Sequence, residues 1–263
     1  MSTPKLFMVL PAYNEAENLP ALLANLEGVF ARLARLGHER QYVIVDDGSK
    51  DATPEVLRVH QQQLPIDVIT HNPNQGLGPT IRDGLRRASE LAADNDIVLS
   101  MDADNTHPAG LIHQMVQMIL EGNDVVIASR YRPGARIVGL SLIRRWMSLG
   151  ARMLFQVIMP IPGVRDYTCG FRAYRASGLK RAFAAYGDTF IEHRGFQCMA
   201  DILLKLAPFE LVMNEAPMVL RYDLKLGESK MRVSSTVANT LKLLLSRRFD
   251  RRYAVAARAQ RTP

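Results

Sequence analysis

Two aspartates separated by one small residue, Asp102-Ala103-Asp104, directly follow the run Ile97-Val98-Leu99-Ser100-Met101. Carboxylates this close repel each other, which raises one pKa and costs stability unless a cation neutralises them. Carboxylate oxygens suit Mg²⁺ or Mn²⁺, hard ions that keep some waters and bridge to substrate phosphates. Such an ion acts as a Lewis acid on a departing diphosphate. Taken alone, the triplet also fits a solvated turn; its place at the end of an apolar run gives it weight.

A second cluster, Asp46-Asp47-Gly48-Ser49, follows Tyr42–Val45. Asp46 can accept hydrogen bonds from a base or ribose, Gly48 permits a tight turn, and Ser49 or Asp51 can cap the next helix. Pro11-Ala12-Tyr13-Asn14-Glu15 ends an earlier apolar run, Leu6–Leu10, and Asn72-Pro73-Asn74-Gln75-Gly76-Leu77-Gly78 follows Ile66–Thr70.

The elements that must position these clusters show in the hydrophobic pattern. Leu6–Leu10, Tyr42–Val45, Ile66–Thr70, Ile97–Met101 and Val125–Ala128 read as buried strands. Glu15–Leu36, Thr53–Gln63, Gly78–Ala93 and Pro108–Leu120 carry helical spacing between them. Strands alternating with helices predict an α/β fold, a Rossmann-like and mainly parallel sheet with helices on both faces. Ligands in such sheets bind beyond the carboxyl ends of the strands, so the four polar clusters fall on one edge and make one site. Later, Leu140–Met159 reads as an amphipathic helix, Asp166–Tyr174 follows a proline-flanked break, and Arg194–Leu206 reads as a helix. Glu210–Arg221 reads as a strand or hairpin and Ser234–Leu245 as a final helix.

With 263 residues, 48% hydrophobic and 22% charged, the chain can build a large core without disulfide staples. Cys169 and Cys198 lack CxxC spacing, which points to a reducing compartment and two small buried side chains. The residues after Met1 form no signal peptide, and no run reaches the roughly 18 apolar residues of a membrane span. The net charge of +7 favours anionic partners. Much of the excess lies in Lys242, Arg247, Arg248, Arg251, Arg252, Arg258 and Arg261, opposed there by Asp250. A solvated tail accounts for that segment equally well.

Pro11–Glu15, Val45-Asp46-Asp47-Gly48-Ser49, Asn74–Gly78, Met101-Asp102-Ala103-Asp104, Ser129-Arg130-Tyr131 and Cys169-Gly170-Phe171-Arg172 occur in that order. Together they resemble the family-2 inverting glycosyltransferases of GT-A fold, within them the dolichol-phosphate mannose synthase and bacterial polyprenyl-phosphate glycosyltransferase branch. The resemblance covers residues 5 to 232. It implies that Pro11, Tyr13 and Glu15 line the nucleotide pocket, that Asp46 holds the base or ribose, and that Asp102 and Asp104 hold the metal. Thr106 stands where the family has a glutamine ligand; a hydroxyl can bind the cation directly or through water. Arg130, Arg144 and Ser148 match positions that grip the acceptor phosphate, by charge-assisted hydrogen bonds from the guanidinium groups. Arg221 and Lys230 match a basic segment that closes over the donor diphosphate.

The resemblance further implies a donor such as GDP-mannose or UDP-glucose, a lipid phosphate acceptor, and Mg²⁺ or Mn²⁺ as cofactor. It divides the chain into a catalytic domain over 1–232, with a nucleotide-sugar half to 130 and an acceptor half over 131–232. A C-terminal helix and basic tail follow over 233–263. Arg144, Arg145 and Arg152 beside Trp146, Met147 and Phe155 suit a helix in the headgroup region of an anionic membrane, or a core helix with snorkelling arginines. The expected location is cytoplasmic and peripheral, on the inner face of a membrane or recruited by a membrane-anchoring partner. A phosphate acceptor is already anionic and needs positioning more than a general base. A hydroxyl acceptor would turn attention to Asp166, Glu192 or His193. A processive polysaccharide synthase would need glutamine at Leu142, and a nucleotidyltransferase a glycine-rich basic loop in place of Pro11–Asn18. A nucleic-acid-binding module is suggested by charge alone and leaves Asp102 and Asp104 unexplained; no nucleic-acid partner is expected.

Overall fold

The computed structural model describes residues 3–139, 150, 153–158 and 160–221. The chain starts with a fully buried strand, β1 (Leu6–Ala12), whose flanking strands cover both sides of its backbone. Helix α1 (Leu19–Ala34) buries Leu19, Leu22, Leu23, Leu26, Phe30 and Leu33, the spacing of one helical face. There follow β2 (Arg40–Asp46), α2 (Thr53–His60), β3 (Ile66–Thr70), α3 (Leu77–Leu91), β4 (Ile97–Ser100), α4 (Leu111–Leu120) and β5 (Val125–Ser129). The strand pattern read from the sequence is thus present, with each end unchanged or shifted by one or two residues. Helix α1 begins later than Glu15 because the Glu15 carbonyl accepts from both Asn18 N and Leu19 N, closing a turn first.

The second half adds β6 (Arg136–Val138), β7 (Arg172–Arg175), α5 (Ala176–Tyr186), α6 (Cys198–Leu206), β8 (Met213–Pro217) and β9 (Val219–Arg221). A helical stretch covers 153–158. The strand or hairpin expected over Glu210–Arg221 is two strands, each in a different sheet, and not a hairpin. β8 joins the main sheet beside β5, and β9 pairs with β6 in a two-stranded ribbon. Both pairings are parallel, which no hairpin allows. The expected helix over Ser234–Leu245 and most of the one over Leu140–Met159 lie outside the described residues.

The main sheet has the order β3-β2-β1-β4-β7-β5-β8, parallel except for β7. The chain runs outward from β1 to β3 and returns to the other side of β1 as β4. That reversal opens a crevice at the carboxyl ends of β1 and β4. Helix α3 packs across β1 and β2, and α4 against β5 and β7. The fit of α3 depends on Gly84, where a Cβ would stand 2.5 Å from a methyl of Val9. Pro11 is tolerated inside a central strand because the pairing of β1 with β4 ends at Val9–Ser100, so no ladder bond is lost there. No described helix is long and apolar enough to cross a membrane.

Candidate active site

The loops after β1 and β2 are laced together at the crevice. Asp47 N donates to the Ala12 carbonyl at 2.9 Å, Asn14 N to Ser49 Oγ at 2.9 Å, and Lys50 N to Asn14 Oδ1 at 2.8 Å. Glu15 N donates to Thr53 Oγ1 and Ala16 N to Asp51 Oδ2. Asn14 takes a positive φ of 52°, which asparagine tolerates. Ser49 therefore ties two loops and does not cap α2. The N-cap position is Ala52, and Asp51 Oδ1 accepts from Thr53 N at 3.0 Å just ahead of it. Pro11 is buried, Tyr13 and Glu15 are half-buried, and Asn18 Nδ2 holds Glu15 Oε2 at 2.7 Å. Asp46 is almost wholly enclosed and accepts from Ser49 N at 3.0 Å.

Asp47, not singled out from the sequence, organises the third loop. Its carboxylate accepts from Gln75 N at 2.9 Å and Gly76 N at 2.8 Å, while its carbonyl accepts from Asn74 Nδ2. His71 lies between two carboxylates, 2.7 Å from Asp47 and 3.0 Å from Asp83. Gly48, at a φ of 70°, lets this loop close in, since a Cβ there would stand 3.0 Å from Asn74 N. The signal in the sequence was the second aspartate of Asp46-Asp47, obscured because acidic pairs are common in turns.

Across the crevice, the chain beyond β4 carries Asp102, Asp104 and Thr106. Thr106 is buried and donates to Asp104 Oδ1 from both its hydroxyl, at 2.7 Å, and its backbone N, at 3.2 Å. The hydroxyl thus orients the carboxylate and keeps a lone pair for a cation. Gly170 borders Asp102: a Cβ there would lie 3.1 Å from Asp102 Oδ1. Two carboxylates and a hydroxyl, all oxygen, fit a hard divalent ion. Arg221 N donates to the Thr106 carbonyl at 3.2 Å, so the end of β9 is fastened to this loop.

Beyond β5, the guanidinium of Arg130 engages Asp166 edge to edge, Nε to Oδ2 at 2.8 Å and Nη2 to Oδ1 at 2.6 Å. Nη2 also donates to Thr168 Oγ1 at 2.6 Å. Burial acts to raise the Asp166 carboxyl, but the charge and hydrogen bonds of Arg130 outweigh it and hold it below the usual range. Arg130 is raised well above its own ordinary value; burial opposes this and Asp166 overcomes it. Asp166 is fully enclosed, which removes it as a candidate base. Glu192 lies 3.3 Å from Lys205 Nζ, and His193 Nε2 lies 3.7 Å from the buried Asp201. Glu192, His193 and Asp201 are close enough to suggest a second metal group, but the buried Lys205 ammonium, 2.8 Å from Asp201, already neutralises it. Arg144, Ser148 and Lys230 lie outside the described residues. Burial pushes the thiols of Cys169 and Cys198 up to about 12, so neither serves as a nucleophile.

The glycosyl transferase family 2 model matches residues 8–183, which takes in the crevice from β1 to α5. A dolichol-phosphate mannosyltransferase of Pyrococcus furiosus is 29% identical over 87% of this chain, which spans 59% of that protein's length. An undecaprenyl-phosphate mannosyltransferase of Micrococcus luteus is 27% identical, over 94% of this chain and 96% of its own. Among solved structures, a mannosyltransferase of Pyrobaculum calidifontis in complex with GDP-Man and Mn²⁺ superposes with a TM-score of 0.59 at 16% identity. That match covers 99% of this chain and 70% of that one, and concerns the fold. The laced loops after β1 and β2, the paired carboxylates beyond β4 and the reversal between them are the frame of a GT-A glycosyltransferase, and the chain belongs to glycosyl transferase family 2.

Proposed function

We propose that this glycosyltransferase moves a hexose, with inversion, from a nucleotide diphosphate-sugar to a polyprenyl phosphate. The observation that carries the reading is the pairing of Asp102 and Asp104 with a hydroxyl-buttressed carboxylate geometry at the switch point of the sheet. The two relatives named for dolichol-phosphate and undecaprenyl-phosphate mannosyl transfer support the acceptor class, and the GDP-Man complex favours a GDP-mannose donor over UDP-glucose.

The loops bearing Pro11, Tyr13, Glu15 and Asp46 receive the nucleotide, and their lacing presents them already ordered. Asp102, Asp104 and Thr106 hold Mg²⁺ or Mn²⁺, which when bound offsets the charge of the leaving diphosphate. Arg221, fastened to the Thr106 carbonyl, and Lys230 supply the positive charge that meets that diphosphate. Arg130, Arg144 and Ser148 orient the acceptor phosphate, whose oxygen is anionic and needs no proton removed. The enclosure of Asp166 supports this choice, because a clamped carboxylate cannot take a proton from a hydroxyl. An approach of His193 to Asp201 favours a hydroxyl acceptor as a second reading, with the imidazole as base.

The excess positive charge supports a peripheral seat on the cytoplasmic face of an anionic membrane. Met153 and Val157, 60% and 79% exposed on the helical stretch 153–158, add apolar side chains to such a contact. A panel of radiolabelled nucleotide-sugars with Mg²⁺ or Mn²⁺, offered polyprenyl phosphate and hydroxyl acceptors in parallel, tests the reading. Organic-extractable product from the lipid phosphate supports it; label on a hydroxyl acceptor alone rules it out.

A further inference from the structure

The described part of the acceptor side rests on a buried glutamate that the reaction itself does not use. Glu215, in β8, has a side chain without solvent exposure. Its Oε1 accepts from both Arg165 N and Asp166 N at 2.6 Å. Asp166 in turn accepts from Arg130 through three nitrogens, the backbone N at 3.1 Å and two guanidinium nitrogens. Asp166 Oδ1 also accepts from Thr168 N and Cys169 N, closing a turn around the carboxylate. A second support holds the same loop, since buried Arg172 donates Nη2 to the Tyr167 carbonyl at 2.8 Å.

Burying a carboxylate is unfavourable unless its charge and lone pairs are met. Glu215 has Arg132 for the charge, with Nε 3.3 Å from Oε2, but neither of those two atoms makes a hydrogen bond. The well-formed bonds are those to the 165–166 backbone. A hydrophobic side chain would fill this place at less risk if packing were all that β8 required.

We infer that Glu215 is a positioning residue: by gripping the backbone at Arg165 and Asp166 it sets Asp166, and through Asp166 the direction in which Arg130 meets the acceptor phosphate. The inference rests on the proposal that Arg130 contacts that phosphate. The order of the chain supports the coupling, because β5 pairs with β8 and ends at Ser129, next to Arg130, so both ends of the relay hang from one strand pair. A shift of the 165–166 backbone therefore changes the guanidinium's aim without altering the donor loops, which hang from β1 and β2.

Steady-state kinetics on the full chain, with polyprenyl phosphate and donor varied separately, tests this. In Glu215→Asp the charge opposite Arg132 stays but the carboxylate withdraws by one methylene from the two N–H groups. We expect the acceptor KM to rise about tenfold with the donor KM within about twofold. In Glu215→Gln an oxygen still reaches both N–H groups, and the acceptor KM should return to within about threefold of the parent. A merely structural loss lowers the folded fraction and the apparent kcat, and leaves KM alone. Unchanged acceptor KM in folded Glu215→Asp overturns the inference, as does equal damage in Asp and Gln variants. Arg130→Ala is run alongside. If it leaves the acceptor KM unchanged, the phosphate role of Arg130 fails, and the inference with it. If it raises the acceptor KM while Glu215→Asp does not, only the positioning role of Glu215 fails.

Discussion

Gly78 and His193 touch backbone to backbone: a Cβ added to Gly78 would stand 1.7 Å from the His193 carbonyl oxygen. Gly78 N also donates to the Arg194 carbonyl at 3.1 Å, so the first turn of α3 is capped by a segment more than a hundred residues away. The third loop and the 193–194 segment are thereby locked in one register.

Gly78→Ala cannot be absorbed by a rotamer change, because the opposing atoms are backbone. Overpacking of this kind costs about 1–3 kcal/mol, and in a domain of this size that lowers Tm by roughly 2–12 °C. Thermal unfolding followed by circular dichroism measures it. An unchanged Tm would show that the two backbones separate easily.

The metal reading makes a graded prediction. Asp104→Ala should reduce transfer about a hundredfold or more, and excess chelator should do the same to the parent enzyme. Thr106→Val removes the hydroxyl that holds Asp104 Oδ1 at 2.7 Å, and should raise the Mg²⁺ or Mn²⁺ concentration for half-maximal rate about tenfold, with Thr106→Ser near the parent. Full turnover in chelator would remove the cation from the reaction.

Arg144 is tested through its substrate. Arg144→Ala should lower kcat/KM for polyprenyl phosphate about tenfold or more and leave hydrolysis of the donor nearly untouched. Equal losses in both reactions would take away its acceptor role.

The clamp between Arg130 and Asp166 has an acid signature. Burial works to raise the Asp166 pKa, but Arg130 holds it below its unfolded value. A depressed carboxylate contributes stability above its unfolded pKa, about 3.9, and loses it as pH falls from there through the folded value. Asp166→Asn should therefore be less stable at neutral pH by about 3–5 kcal/mol, with the difference from the parent shrinking as pH falls below about 4. Urea unfolding across that range reads both. A gap that stays constant with pH would mean the clamp is not ionic.

Why some of this was readable and some was not comes down to range. The strands of the first half are short apolar runs ended by polar clusters, and every cluster lies at the carboxyl end its run predicts, because parallel β1, β2, β3 and β4 share one direction. The helix Ala176–Tyr186 escaped because its buried positions include Ala176, Gly178 and Ala182, too small to mark a stripe. Strands β8 and β9 read as one strand or a hairpin because nothing local says that their partners are β5 and β6. The same limit hid Asp166 as the partner of Arg130, which lies 36 residues away, and hid Glu215 behind both. The residues proposed to meet a ligand sit in local motifs; the residues that hold them in place depend on contacts only the fold creates.

Asp47 illustrates the last point and gives the final prediction. Its carboxylate accepts from Gln75 N, from Gly76 N and faces His71, so it fixes the third loop. Asp47→Ala strands two backbone donors and the Nδ1 side of His71 in a part-buried turn, and each stranded donor costs about 1–3 kcal/mol. Asp47→Asn keeps one acceptor oxygen but turns an amide N–H₂ toward Gln75 N or Gly76 N, where a donor meets a donor. Both variants should lose stability, Ala about 2–4 kcal/mol and Asn somewhat less. Both should weaken nucleotide binding in calorimetry, because the loop that borders Gly48 is no longer held. Asp46 makes its bond within its own turn, to Ser49 N at 3.0 Å, so Asp46→Asn should leave the third loop in place and change nucleotide affinity with little change in Tm. The two adjacent aspartates are thus separable by experiment, one acting through the loop and the other through the ligand. Nucleotide affinity unaffected in Asp47→Ala would detach the third loop from the donor pocket.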